Sequence, residues 1–213
     1  MRDRIKDVAT ELLVLHGYRG FRFGHIAERL SRTRANIHYH FRTKEQLVEE
    51  VVCDYVAGTE EQFRDIWLNE NASLNEKIRQ TMGYNHQRYI HYNPTGKTGH
   101  PWSLIARMRS DQDLLTAKAR EALQDFGPAI ESHVRAAIIL AKKKGELKAD
   151  APVDDLALQI VSIANSAGPI TQDAGSFARL EELYLAFARI VNHAYGINPE
   201  ANDPERTLKL SNN

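Results

Sequence analysis

The sequence predicts an all-α protein, with three helices at the N-terminus followed by a larger helical body. Three observations carry this. Apolar residues recur at helical spacing along most of the 213 residues, and no alternating run reads as a strand. Thr43 with Gln46 and Ser73 with Glu76 have the spacing of capping boxes, which satisfy the amides freed at a helix start. Glycine and proline gather between the periodic segments, where helices should stop.

The first helix is read from "IKDVATELLVLHG". Ile5, Val8, Ala9, Leu12 and Leu13 share one face, and Gly17 is placed to end it. "FGHIAERL" forms a short second helix with Ile26, Ala27 and Leu30 on its buried side. A tight turn at "SRT" leads to a third, "RANIHYHF", with Thr33 as its N-cap. Thr43 then opens a long helix through Leu47, Val51 and Tyr55 towards Trp67. Ser73 opens another that runs to about Tyr92. "NPTGKTGHP" reads as a mobile, turn-forming segment and an entrance flap, followed by a short helix "WSLIARMRS". A long helix from about Asp113 to Lys144 is expected to break at Gly127–Pro128, because proline lacks an amide and clashes with the preceding turn. Two last helices lie near 153–167 and 176–195. The expected organisation is residues 1–47 as the small domain, 48–196 as the body, and 197–213 as a polar, frayed tail.

Composition narrows the function. The chain is 42% apolar and 26% charged, ordinary for a globular protein. Cys53 stands alone, so neither an internal disulfide nor a cysteine-based zinc site is available. The longest apolar run, "AAIILA", is too short to span a bilayer, and the N-terminus mixes acids among its bases, unlike a secretory signal. The expected location is cytoplasmic, with no membrane partner. Net charge is zero but unevenly placed: residues 1–44 hold ten bases and four acids, and the rest hold 18 bases and 24 acids. A basic end on an acidic body suits a polyanionic partner.

Residues 31–47, "SRTRANIHYHFRTKEQL", concentrate the polar chemistry. His38 and His40 lie about 200° apart around a helix, so they do not chelate one metal. No nucleophile elbow, Gly-rich phosphate loop or carboxylate pair with a pocket is present, so no catalytic residue is assigned. Ile37 and Phe41, one turn apart, can pack on Ile26, Ala27 and Leu30. That turns Arg34, Asn36, Tyr39 and His40 outward, the arrangement of a helix-turn-helix. Asn suits adenine and Arg suits guanine, while Thr33, Tyr39 and Lys44 suit phosphate oxygens or thymine methyls.

The stretch "GYRGFRFGHIAERLSRTRANIHYHFRTKEQL" resembles the N-terminal DNA-binding domain of the TetR family of bacterial transcriptional regulators. The resemblance rests on Gly17-Tyr18, Ile26-Ala27 and "NIHYHF-x-x-KE-x-L", and covers about the first fifty residues. It implies an all-helical, non-enzymatic regulator that binds a near-palindromic operator in double-stranded DNA as a homodimer, more often a repressor, and is released by a small effector. Carried over by position, Thr33, Arg34, Ala35, Asn36, His38, Tyr39, His40 and Lys44 face DNA. Three positions depart from the family pattern. Ser31-Arg32 replaces Gly-Val in the turn, so Arg32 adds a phosphate contact or alters the packing. His38 replaces Tyr, making a phosphate contact there depend on protonation. Arg22 replaces a Ser or Thr cap, a poorer cap but a phosphate contact.

In the body, the expected effector pocket draws on Met82, His86, Tyr89 and Tyr92, and on Trp102, Ile105, Met108 and Phe126 further along the chain. His86, His91 and His100 are too loosely spaced for a metal trio, and no cofactor beyond the effector is expected. The last two helices carry apolar stripes, and the resemblance implies that they build the dimer interface through Leu156, Ile160 and Ala164, then Leu180, Tyr184, Phe187 and Val191. The competing reading is a helical small-molecule-binding protein or enzyme with no sequence-specific DNA binding.

Overall fold

The computed structural model describes residues 1–197, so the expected tail lies outside the described residues from 198 on. The described residues contain ten α-helices: α1 (Arg2–Gly20), α2 (Phe23–Arg29), α3 (Arg34–His40), α4 (Lys44–Trp67), α5 (Leu74–Tyr92), α6 (Leu104–Ser110), α7 (Ala117–Lys143), α8 (Val153–Asn165), α9 (Ala167–Ala174) and α10 (Ala178–Tyr195). Among these residues the one extended pairing is an isolated bridge between Leu147 and Gly196. The chain forms two compact units. The first is Met1–Glu60 with His100–Phe126, and the second is Glu61–Gly99 with the described residues from Gly127 on.

The first unit is built on α1, whose Ile5, Ala9, Leu12, Leu13 and Val14 are buried. Gly17 ends the regular part of this helix with φ +67, a conformation that disfavours any side chain. Ile26, Ala27, Ile37 and Phe41 close the core beneath α2 and α3, with Leu47, Val48, Val51 and Val52 from α4. Leu30, expected on the buried side of α2, is its half-exposed C-cap. Trp102, Leu104, Met108 and Leu123 are buried as well, and α6 packs against α1. The segment 100–126 therefore folds with the N-terminal helices, a grouping that chain order does not reveal.

In the second unit α10 packs against α5, α8 and α9. Ile78, Ile160, Leu180, Phe187 and Val191 are buried. Ser73 and Glu76 form the expected reciprocal capping box at the start of α5. Lys77 is buried and its ammonium donates to the Trp67 carbonyl in the last turn of α4 (2.9 Å), where burial pulls its pKa below the ordinary lysine value. Asn85 Nδ2 donates to the buried Tyr184 hydroxyl (2.9 Å).

Three expectations change here. α7 runs unbroken through Gly127 and Pro128, since a helix embedded in tertiary packing tolerates one missing amide. The C-terminal region holds three helices, because the stretch read as the connection between the last two forms α9 just beyond Ser166. The segment after α5 is pinned rather than mobile. Tyr89 Oη donates to the Thr98 carbonyl (2.6 Å), Thr98 Oγ1 donates to Asn93 Oδ1 (2.7 Å), and Gly99 lies so close to α9 that a Cβ would meet the Gln172 carbonyl oxygen at 2.6 Å.

Candidate nucleic-acid interface

α2 ends in a Schellman motif. The Arg32 amide donates to the Ala27 carbonyl (2.8 Å) and the Ser31 amide to the Glu28 carbonyl (3.1 Å). The motif needs one left-handed residue, and Ser31 supplies it at φ +50. Serine there carries a steric cost that glycine avoids. Ser31→Gly is expected to raise stability by roughly 0.5–1 kcal/mol, the relief of left-handed strain less the entropy of a freer unfolded chain. A melting curve checks this, and a lowered midpoint would mean that the turn is not built this way. Arg32 projects its side chain into solvent from the next position.

Thr33 starts α3 by accepting from the Asn36 amide (3.2 Å). Ile37 is the one buried side chain of α3, and Phe41 locks its C-terminal end. Everything else faces out or along the rim. Thr33, Arg34, Ala35, His38 and Tyr39 are exposed, Tyr39 at 83%, while Asn36 and His40 are half-exposed. The helix is held in register by its flanks. The Arg34 guanidinium lies across Gly24, where a Cβ would come within 2.9 Å of Nη2. The His38 ring meets Phe23 edge-on at 4.8 Å. Arg2 donates from Nη1 to the His40 carbonyl (2.5 Å), sits 4.0 Å from the centre of the Phe41 ring and pairs with Glu50. In the sequence Arg2 registers only as charge, because its partners lie 38 or more residues away.

The charges are sorted. Lys6 pairs with Asp54 (2.6 Å), Arg29 with Glu11 (2.8 Å) and Arg19 with Asp113 (3.5 Å). Arg22, Arg32, Arg34 and Arg42 are exposed, and among the described residues no carboxylate pairs with them. In chain order these four arginines stand at the start of α2, in the turn, at the first position of α3 and just past its C-terminal end. Arg42, absent from the residues expected to face DNA, stands just past the C-cap of α3 and is as exposed as Arg32 and Arg34 by class. Arg22 is the N-cap of α2 and makes no side-chain capping bond, as its residue type implies.

Asn36 has its side-chain Oδ1 buried and without a hydrogen-bond partner among the described residues. A buried acceptor left unpaired costs about 1–3 kcal/mol, so it calls for a reason beyond stability. Lys44 is placed differently from a free phosphate ligand. Its ammonium donates to the Tyr18 carbonyl (2.6 Å) and lies 4.1 Å from the centre of the Tyr18 ring. Burial lowers its pKa, with Arg22 adding to that and Glu45 and Asp111 opposing it.

The residues expected to line an effector pocket divide between the two units. Trp102, Ile105, Met108 and Phe126 are buried in the first. In the second, Tyr89 is buried and anchors the 93–99 segment, Met82 and Tyr92 are half-exposed, and His86 is exposed with its ring edge-on to Phe177 at 4.7 Å. Of the expected dimer residues, Leu156, Ile160, Leu180, Tyr184, Phe187 and Val191 are occupied inside the protomer, and Ala164 is half-exposed. The side of α10 about 100° round the helix from that buried stripe carries Leu183, Ala186 and Ile190, the last 65% exposed, and α8 exposes Leu158 at 57%. The signal for this face is present in the sequence at helical spacing but is overshadowed by the larger, aromatic stripe.

Residues 5–51 match the model for bacterial regulatory proteins of the tetR family. The chain is 33% identical over 64 residues to the HTH-type transcriptional regulator QacR of Staphylococcus aureus, covering 30% of this chain and 34% of that protein. It is 30% identical over 79 residues to an uncharacterized HTH-type transcriptional regulator, YvaF, of Bacillus subtilis, covering 36% of this chain and 42% of that one. The chain thus spans about a third to two-fifths of the length of these relatives. Over nearly the whole length the fold is similar to that of a TetR-family regulator from Agrobacterium tumefaciens, with a TM-score of 0.73, 19% identity, and 92% of this chain and 97% of the other covered.

Proposed function

We propose that the chain, whose residues 5–51 match the model for bacterial regulatory proteins of the tetR family, acts as a homodimeric, one-component transcriptional repressor whose grip on a near-palindromic operator is released by a small effector. The observation that carries this reading is the sorted charge around α2 and α3. Arg22, Arg32 and Arg42, without carboxylate partners among the described residues, lie outside α3 in the chain, and the exposed positions at its N-cap and along it are Thr33, Arg34, Ala35, His38 and Tyr39. In the dimer, the two copies of α3 enter successive major grooves about 34–36 Å apart. Asn36 and Arg34 read base edges, while Arg22, Arg32 and Arg42 hold phosphates. The working site is in the cytoplasm, which fits a chain with no helix among the described residues long and apolar enough to cross a membrane.

The effector is a small molecule taken up by the body, and α4, continuous from Thr43's cap to Trp67, carries its effect towards the recognition helix. Effector and DNA then weaken each other by the same factor. Binding to duplex DNA, measured as salt is raised, tests the electrostatic part. Arg22→Ala and Arg32→Ala should each weaken binding to every sequence and flatten the logarithmic salt slope by about 0.9 for each phosphate no longer neutralised. Slopes identical to that of the unmodified protein would remove these arginines from the interface.

A further inference from the structure

The C-terminal ends of α4 and α7 meet in the second unit, where Lys144 Nζ donates to the Glu70 carbonyl. A cleft of about 420 Å³ lies there. Trp67, the last residue of α4, lines it together with Leu68 and Glu70 just beyond, and α7 contributes Ala136, Ile139, Leu140 and Lys143. The volume is in the range of sites for one small molecule. None of the eight residues expected to line the effector pocket takes part.

Three features of the lining call for a ligand. Leu68 is 43% exposed and Ile139 42%. Scattered singly, such side chains need no reason, but these two converge on one concave surface. Trp67 is 1% exposed, and its indole N–H has no acceptor among the described residues. An indole N–H can only donate, and a buried donor left without an acceptor is costly. The lysines supply the third feature. Lys77 Nζ donates to the Trp67 carbonyl (2.9 Å), Lys142 Nζ to the Ala151 carbonyl (3.0 Å) and Lys144 Nζ to the Glu70 carbonyl. Lys143 lies between two lysines committed in this way, yet it is exposed, and among the described residues no carboxylate pairs with it. Trp67 and Lys143 are thus the lining residues with a donor to give.

We propose that this cleft binds an amphipathic carboxylate. Its hydrocarbon lies on Leu68, Ala136, Ile139 and Leu140, and its carboxylate accepts from Trp67 Nε1 and Lys143 Nζ. A carboxylate only accepts, so it matches both donors at once, and pairing with an ammonium strengthens the bond. Glu70 opposes the ligand by like charge and limits its affinity. The site is additional to the effector pocket and does not depend on the DNA-binding reading.

Proton–nitrogen spectra of the indole groups, recorded on the full chain during titration with sodium octanoate, test this. The chain has two tryptophans, and Trp67→Phe or Trp102→Phe assigns their signals. Octanoate should move the Trp67 indole proton downfield in a saturable way, and octylammonium, with the same hydrocarbon and the opposite charge, should not. Ala136 is exposed on α7, so Ala136→Phe should fold like the unmodified protein while its ring fills the cleft and abolishes the response. Lys143→Met should raise the midpoint about two- to fivefold, the range for an exposed ion pair, and Glu70→Gln should lower it. The proposal is overturned if octanoate leaves the Trp67 signal in place, if octylammonium moves it as well, or if the midpoint is unchanged in Ala136→Phe or in Lys143→Met. A Trp67 signal that moves with protein concentration alone would mean that a second protomer covers the cleft, and would overturn it too.

Discussion

Ile190→Glu is expected to yield a folded protein with a solution mass near 24.2 kDa and no measurable affinity for an operator that the unmodified dimer binds. Ile190 is 65% exposed on α10, and Leu183 and Ala186 precede it at helical spacing on the same outward side. The inward side of α10 is already committed to the protomer through Leu180, Tyr184, Phe187 and Val191. In a two-fold interface the substitution appears twice, so two carboxylates are buried without partners. Each costs several kilocalories per mole, about 3–5 kcal/mol for an unpaired buried charge. In an isolated protomer the same side chain stays in water, and helical signal and melting temperature should change little. Light scattering at micromolar concentration separates the cases: a retained mass of twice 24.2 kDa would show that this face is not the dimer interface.

The second large effect is expected at Asn36, where stability and function should move in opposite directions. Its buried, unpaired Oδ1 is a liability in the free protein. Asn36→Ala removes that liability and puts a better helix former near the start of α3, so the melting temperature should hold or rise. Operator selectivity should fall, because a bidentate pairing with adenine is worth about 1–3 kcal/mol of discrimination at each half-site. Non-specific binding, carried by the phosphates, should persist with its salt slope intact. Competition between the selected operator and scrambled duplex reads the ratio. An unchanged ratio in Asn36→Ala would mean that Asn36 reads no base.

Local signals make the N-terminal helices legible. Gly17, Thr33, Thr43 and the Ile37–Phe41 pair each act within a few residues of where they stand, although Gln46 Oε1 accepts from the Arg42 amide rather than closing the expected capping box on Thr43. What escapes sequence reasoning depends on partners distant in the chain. Lys44 reads as a free cation because the carbonyl that captures it belongs to Tyr18, 26 residues earlier. "NPTGKTGHP" reads as mobile because its anchors are the Tyr89 hydroxyl and the backbone of α9. Residues 100–126 give no sign that they pack with the first helices, since the Asp111–Tyr18 bond spans 93 residues. α10 is apolar on two sides, and periodicity alone does not say which side meets the protomer's own core.

Ser31 and Arg32 show how a departure from a family pattern becomes physical. The turn requires a left-handed residue at Ser31, where glycine would rest without strain, and sends the Arg32 side chain outward beside Thr33. The cation therefore disturbs no packing and is exposed, as are Arg22, Arg34 and Arg42.

In the proposed dimer this face reads duplex DNA as a symmetric pair. Repeated selection of the purified chain on random-sequence duplexes tests it most directly. The expected result is enrichment of two inverted half-sites with their centres about one helical turn, roughly 10–10.5 base pairs, or a multiple of it apart. Failure to enrich any sequence, or enrichment of a single site without inverted symmetry, would contradict it.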